Sequence, residues 1–253
     1  MFALERQKKI LDTLSRDGSV FVSKLSAELG VTEETIRRDL EKLEKQESLR
    51  RTHGGAVPID ETTFELSLEK RKSTNVDAKK HLAKKAAEYV VSGDTIFLDA
   101  STTTFFMAKE IKHKKNVTVI TNSIRVVGEL AGVDGIKVIA VGGVASKNQS
   151  FVGYHAEKSI EENYFANKMF FSSKGVTPEA GILESNEEEC GIKQKMISNS
   201  NNRFYLCDKT KIGRVGFVKL ADFATVNTFI TDTEPDSVLE TKLTENDVEI
   251  IKI

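Results

Sequence analysis

Residues 31–43, Val-Thr-Glu-Glu-Thr-Ile-Arg-Arg-Asp-Leu-Glu-Lys-Leu, limit the fold more than any other stretch of this chain. Ile36, Leu40 and Leu43 recur at helical spacing and must face a core, which leaves Glu34, Arg38, Glu41 and Lys45 on the opposite side. Thr32 is placed to cap this helix, with Glu33 and Glu34 in the first turn, where the helix dipole favours anions. Upstream, Ser23 can cap a helix that runs to Leu29, and Gly30 suits a left-handed stop. Two short helices joined by a tight turn, the second bearing arginines, are the sequence form of a helix-turn-helix.

The flanks complete a module. Leu4, Ile10, Leu11 and Leu14 predict a first helix over 3–15 with one buried stripe, broken at Asp17-Gly18, and Val20-Phe21-Val22 predicts a short extended piece. Leu49 to Val57 predicts two extended pieces around Gly54-Gly55, a hairpin with a two-residue turn that would serve as a wing. In a major groove, Thr35 and Arg38 would face base edges, and Arg37 and Lys42 would lie near phosphates. Arg50 and Arg51 would grip phosphates beside the groove. Thr32, Glu34 and His53 complete the candidate DNA-contact set, Glu34 as a partner of the helix dipole or an acceptor from a cytosine amino group. A merely solvated charged face is the competing reading. Three helices, a capped turn and a basic hairpin within residues 1–58 outweigh it.

Charge narrows the class of DNA binder. Residues 1–57 hold eleven Lys and Arg against ten Asp and Glu, and the whole chain carries −1. A structural nucleoid protein depends on phosphate neutralisation and is disfavoured by so balanced a head. A sequence reader would have to gather its cations on one face. No apolar run approaches the ~20 residues needed to cross a bilayer, and no signal-peptide pattern is present. Cys190 and Cys207 lack metal spacing and imply reduced thiols in a cytoplasmic protein, with neither metal nor cofactor expected.

Polar residues 59–76 form the expected linker. Over 77–253, a helical stripe of Leu82, Ala83, Ala86, Ala87 and Val90 precedes strand candidates at 95–99, 117–121, 136–141, 168–171, 204–206 and 228–231. Helical segments near 103–112, 123–131, 155–163 and 186–199 lie between most of them. Such alternation predicts an α/β domain with a mostly parallel sheet covered on both faces, and ligands at the carboxyl ends of its strands. Those ends are polar or glycine: Asp99-Ala100-Ser101-Thr102-Thr103-Thr104 opening a helix, then Asn122-Ser123, then Gly142-Gly143. Hydroxyls beside a helix N-terminus suit an anion, although a simple capping cluster is an equal reading of that loop alone. Lys174, Glu189 with Lys193 one turn on, and Asp208 with Lys211 add charge. Together they describe a pocket for a polyhydroxylated anion.

The run Thr35-Ile36-Arg37-Arg38-Asp39-Leu40, preceded by Arg6 and Ile10 and followed by Arg51-Thr52-His53-Gly54-Gly55-Ala56, resembles the DeoR family of bacterial transcriptional regulators. The resemblance continues through Phe97 to Thr103, Thr121-Asn122-Ser123, Gly142-Gly143, Lys174-Gly175, Glu189/Lys193 and Asp208-x-x-Lys211. It departs at Gln46-Glu47-Ser48, where the family carries a glycine before the wing, and at Ala100, where glycine is usual. It implies a winged helix-turn-helix followed by a sensor domain similar in fold to ribose-5-phosphate isomerase, binding a phosphorylated sugar or polyol. The function implied is a repressor of a carbohydrate or polyol utilisation operon that binds double-stranded operator DNA as a homodimer or homotetramer. Coupling between the two sites is expected through the helix carrying Lys79, Lys80 and His81. The alternative is a sugar-phosphate isomerase-like enzyme using Asp99, Glu189 or Asp208 as acid or base. Against it stand the scattered histidines (His53, His81, His113, His155) and the DNA-reading head.

Overall fold

A computed structural model describes residues 2–59 and 66–253. The chain divides into two compact units, Met1–Lys70 and Arg71–Ile253.

The first unit runs α1 (Ala3–Asp17), β1 (Val20–Phe21), α2 (Val22–Leu29), α3 (Glu33–Lys45), β2 (Arg50–Thr52) and β3 (Gly55–Val57), with α4 (Leu68–Ser73) crossing the division. Its core gathers Ile10, Leu14, Val20, Val22, Leu25, Ile36, Leu40, Leu43, Leu49 and Ala56. The inward face of α1 differs from the expected one. Leu4 points to solvent, and Arg6 and Gln7 are buried instead, because both bond the carboxylate of Asp39 on α3. That buried ion pair fixes α1 against α3. Asp39 therefore belongs to the interior, not to the DNA face.

Two further expectations shift. The second helix begins at Val22 with Phe21 at its cap and no side-chain bond there, so Ser23 lies inside it. The wing turn is His53-Gly54, and Gly55 is already in β3, paired with Thr52 and with Phe21. A Cβ on Gly55 would fall 2.0 Å from the Val20 carbonyl oxygen, so only glycine lets β1 join β3 and β2 as a third strand. Where the family carries its glycine before the wing, Glu47 takes φ +51. A left-handed conformation strains a side-chain-bearing residue. Glu47→Gly is expected to raise the unfolding free energy by about 0.5–1 kcal/mol in urea denaturation, despite loss of the exposed bond from Ser67 N–H to the Glu47 carboxylate.

The second unit runs α5 (Val76–Glu88), β4 (Thr95–Leu98), α6 (Thr102–Glu110), β5 (Val117–Thr121), α7 (Ile124–Leu130), β6 (Ile136–Ala140), β7 (Val144–Ala145) and β8 (Phe151–Val152). Next come α8 (Tyr154–Asn163), β9 (Ala166–Phe171), β10 (Gly175–Thr177), β11 (Gly181–Glu184), α9 (Glu187–Ser198) and β12 (Ser200–Cys207). The chain closes with β13 (Val218–Ala221), β14 (Thr228–Thr231), α10 (Ser237–Glu245) and β15 (Glu249–Lys252). Seven strands form an all-parallel sheet in the order β15-β14-β12-β9-β4-β5-β6. Alternate residues serve opposite faces. Ile96, Leu98, Phe170 and Leu206 pack under α5, α6 and α7, whereas Phe97, Met169, Phe171 and Tyr205 pack under α8, α9 and α10.

The six expected strands are all in this sheet. The edge strand β15, helix α10 and an antiparallel sheet β10-β11-β13 lie beyond that reading, and α4 occupies part of the expected linker. Residues 60–65 of that linker fall outside the described residues. The chain lays down β4, steps outward to β5 and β6, then returns past β4 to begin β9. This reversal falls between β4 and β9, and the carboxyl ends of strands beside such a reversal are the usual ligand position in an open parallel sheet. Among the described residues, no helix is long and apolar enough to cross a membrane.

Candidate functional site

Two sites emerge, one in each unit. On α3, Thr32 caps the helix by accepting from Thr35 N–H at 3.2 Å, which also draws the two hydroxyls together. Arg38 projects outward with 77% of its side chain exposed. Arg37, Lys42, Arg50, Arg51 and His53 are exposed too, and Thr35 is half-buried at the start of the same face. Each of three cations on this helix has a carboxylate one turn back: Glu33 with Arg37 at 2.6 Å, Glu34 with Arg38 at 3.3 Å and Glu41 with Lys45 at 2.7 Å. Exposed pairs of this spacing are worth only ~0.3–0.5 kcal/mol, so a phosphate or base can displace the carboxylate. Glu44 steadies the wing by accepting from Arg51 N–H at 2.9 Å.

In the second unit the strand ends converge on Asp99, which is fully buried. Its carboxylate accepts from Ser101 N–H at 3.1 Å, Thr104 Oγ1 at 2.7 Å and Ser172 N–H at 3.2 Å, and meets Lys193 Nζ at 3.0 Å. Burial pushes the Asp99 pKa up, but Lys193 and the hydroxyl and amide donors outweigh it and hold the group below its ordinary value. Asp99 is thus committed to shaping the loop. Thr104 is likewise turned inward, while Ser101 caps α6 and remains half-buried. Thr102 and Thr103 are buried at the same helix N-terminus. Ala100 is absent from the positive-φ residues, so its methyl group costs no backbone strain.

Lys193 does not pair with Glu189, its neighbour one turn back. Its Nζ bonds Glu184 at 2.5 Å and the Ser172 carbonyl at 2.8 Å, besides Asp99. Burial disfavours its charge, yet Glu184 and Asp99 prevail and raise its pKa above the usual lysine value. Glu184 was missed in the sequence, where it reads only as the end of an apolar run. Glu189 is buried and accepts from Ser150 Oγ. Burial, with Glu184 and Asp99 nearby, raises its pKa against the opposing pull of Lys193 and the Ser150 bond. A raised carboxyl pKa gives stability that is present at acid pH and lost as pH rises through the folded value. Glu189→Gln is therefore expected to melt higher than the parent near pH 8, with the gap closing toward pH 4.5, the ordinary value.

Around this core lie the remaining candidates. Asn122 donates to the Phe151 carbonyl at 3.2 Å, and among the described residues its buried Oδ1 has no hydrogen-bond partner. Gly142 has φ +70 with open space where a side chain would lie. At Gly143, a Cβ would fall 2.8 Å from that of Ala156, so α8 accounts for this glycine. Lys174 is half-buried after β9, its N–H bonding the Leu183 carbonyl. Asp208 is buried and accepts from Thr210 and from Asn75 at 3.3 Å. Lys211 donates to Ser172 Oγ at 2.8 Å and to the Ser173 carbonyl. Ser172 and Ser173 end a strand as Asn122 does, so the same strand-end rule could have found them. Lys79 joins the site as well, facing Lys211, Arg71 and Arg125 with Asp208 as the opposing charge. Burial and these cations push its pKa down to about 8. Cations from α4, α7 and the loop after β12 thus gather around Lys79 of α5.

A winged helix-turn-helix with an outward basic helix, followed by a doubly covered parallel sheet with a polar crevice, defines a DNA-binding regulator with a sensor-type domain. Residues 6–62 match the DeoR-like helix-turn-helix domain and residues 74–233 the DeoR C-terminal sensor domain. The chain belongs to the DeoR family of transcriptional regulators. It is 42% identical to the uncharacterized HTH-type transcriptional regulator YulB of Bacillus subtilis, over 100% of this chain and 98% of that one. It is 33% identical to the lactose phosphotransferase system repressor of Streptococcus mutans, over 93% and 94% of the two chains. Among solved structures, ribose 5-phosphate isomerase from Plasmodium falciparum is similar at a TM-score of 0.39 and 17% identity, over 53% of this chain and 52% of that one.

Proposed function

We propose that this regulator is a cytoplasmic repressor of a carbohydrate or polyol utilisation operon, controlled by a phosphorylated sugar or polyol. The observation that carries the reading is the gathering of cations around Lys79. Lys211, Arg71 and Arg125 face it with Asp208 beside them, a setting that suits a phosphate dianion. Its oxygens would meet Ser101, Thr102, Thr103 and the free N–H groups opening α6. Asp99 and Thr104 hold that loop, Gly142 leaves it room, and Lys174 and Asp208 line the rim. The hydroxyls of the ligand would lie toward Asn122 and Glu189, which supply acceptors. The Streptococcus relative, a lactose phosphotransferase system repressor, supports the same chemistry.

On DNA, Thr35 and Arg38 take base edges, and Arg37, Lys42, Arg50 and Arg51 take phosphates. Thr32 and Glu34 fix the start of the helix, and His53 tips the wing. A two-fold operator calls for a homodimer or homotetramer, with half-sites one or more turns of ~10 bp apart. The test is thermal shift of the full chain against a panel of phosphorylated sugars and polyols and their unphosphorylated counterparts. A rise confined to phosphate esters is expected, since a ligand that favours the native state raises the melting point. Equal rises with the free sugars, or none with any ester, would refute the reading.

A further inference from the structure

The corner between α4 and α5 is tied to the crevice by two side chains. Lys79 Nζ donates to the carbonyl oxygens of Arg71 at 2.6 Å and Thr74 at 2.8 Å, at the end of α4. Asn75, at φ +52, donates to Asp208 Oδ1 at 3.3 Å and Thr210 Oγ1 at 2.8 Å. An ammonium has three hydrogens. Among the described residues, two of those on Lys79 are engaged, both by carbonyls of the connector. The charged groups that face it are Arg71 from α4, Arg125 from α7, and Asp208 and Lys211 from the loop after β12.

We propose that Lys79 is the positioning residue that reports anion occupancy to the connector, its third N–H taking a phosphate oxygen while the other two hold the end of α4. This rests on the anion-site reading given above. With the crevice empty, burial and the surrounding cations favour loss of the proton, which sets the pKa at about 8. A bound dianion reverses the balance and keeps the group an ammonium, whose bonds to the two carbonyls are then charge-assisted and stronger. Binding above neutrality therefore takes up a proton at Lys79. The helix that carries the chain onward from the head is held more firmly as a consequence.

Hydrogen exchange of the full chain at about pH 9, above the free-state value of about 8 for Lys79, tests this, with inorganic phosphate in one arm, a hexose 6-phosphate in the other, and melting temperature recorded in parallel. Exchange over residues 71–79 is expected to slow by about fivefold or more, the lower end of ordinary allosteric coupling. The arm that acts at lower concentration identifies the source of the phosphate, and either one supports the relay. Lys79→Gln keeps two N–H donors without the charge. At matched occupancy it is expected to lose the added protection. A higher melting temperature with unchanged exchange at 71–79 would overturn the relay and leave the anion site standing, as would equal protection in the glutamine variant. If neither probe raises the melting temperature, the anion site itself falls, and the relay with it.

Discussion

Replacing Lys193 by methionine is expected to destabilise the second unit by about 3–5 kcal/mol, the cost of leaving buried carboxylates without their counter-charge. Asp99 and Glu184, 0% and 5% exposed, would lose the ammonium that lies 3.0 and 2.5 Å from them. The pH dependence should reverse as well. In the parent both carboxyl pKa values are held down, mainly by Lys193 acting against burial, so their contribution is lost only as pH falls through the depressed folded values. In the variant the hydroxyl and amide donors remain but the Lys193 charge does not, so burial raises both pKa values relative to the parent and the penalty eases as pH falls. Urea unfolding of the full chain across the acid range checks the sign. Adding Asp99→Asn and Glu184→Gln should recover much of the loss, because the penalty comes from unpaired charge and not from the missing side-chain stem. A Lys193→Met protein as stable as its parent at neutral pH would contradict this account of the core.

Arg38→Ala is expected to weaken operator binding about 5- to 150-fold for each copy of the head, the range for one bidentate base contact worth ~1–3 kcal/mol. Melting temperature and its response to phosphorylated sugars should stay at parent values, because Arg38 is exposed and, among the described residues, paired only to Glu34 across 3.3 Å. Gel-shift titration with operator and random duplexes provides the first measurement and thermal shift the second. Uniform weakening on both duplexes would assign Arg38 to a phosphate instead of a base. Loss of the thermal response with the fold preserved would contradict the independence of the two sites.

Local signals found the elements, and long-range partners escaped them. The helical period of Ile36, Leu40 and Leu43 and the Thr32 cap depend on near neighbours, and both held. Periodicity placed Ile10, Leu11 and Leu14 correctly but misassigned Leu4, because Arg6 and Gln7 turn inward to Asp39, more than thirty residues away. The same limit hid Glu184. Its role arises when the antiparallel sheet delivers it to Lys193, and sequence proximity favoured Glu189 as the partner instead. The strand-end rule singled out the polar ends of β4 and β5, on one side of the point where the chain reverses, because that reversal is a property of the order of elements. Which polar atoms remain available there is a matter of packing. Asp99 and Thr104 spend theirs on each other, whereas Asn122 Oδ1 keeps its own.

The pairing of α3 cations with glutamates one turn back has a kinetic consequence. A head that arrives with its charge already matched gains little from any stretch of duplex whose groove does not fit, so it dwells only briefly there. Such a head is expected to search duplex DNA by frequent detachment more than by long sliding runs.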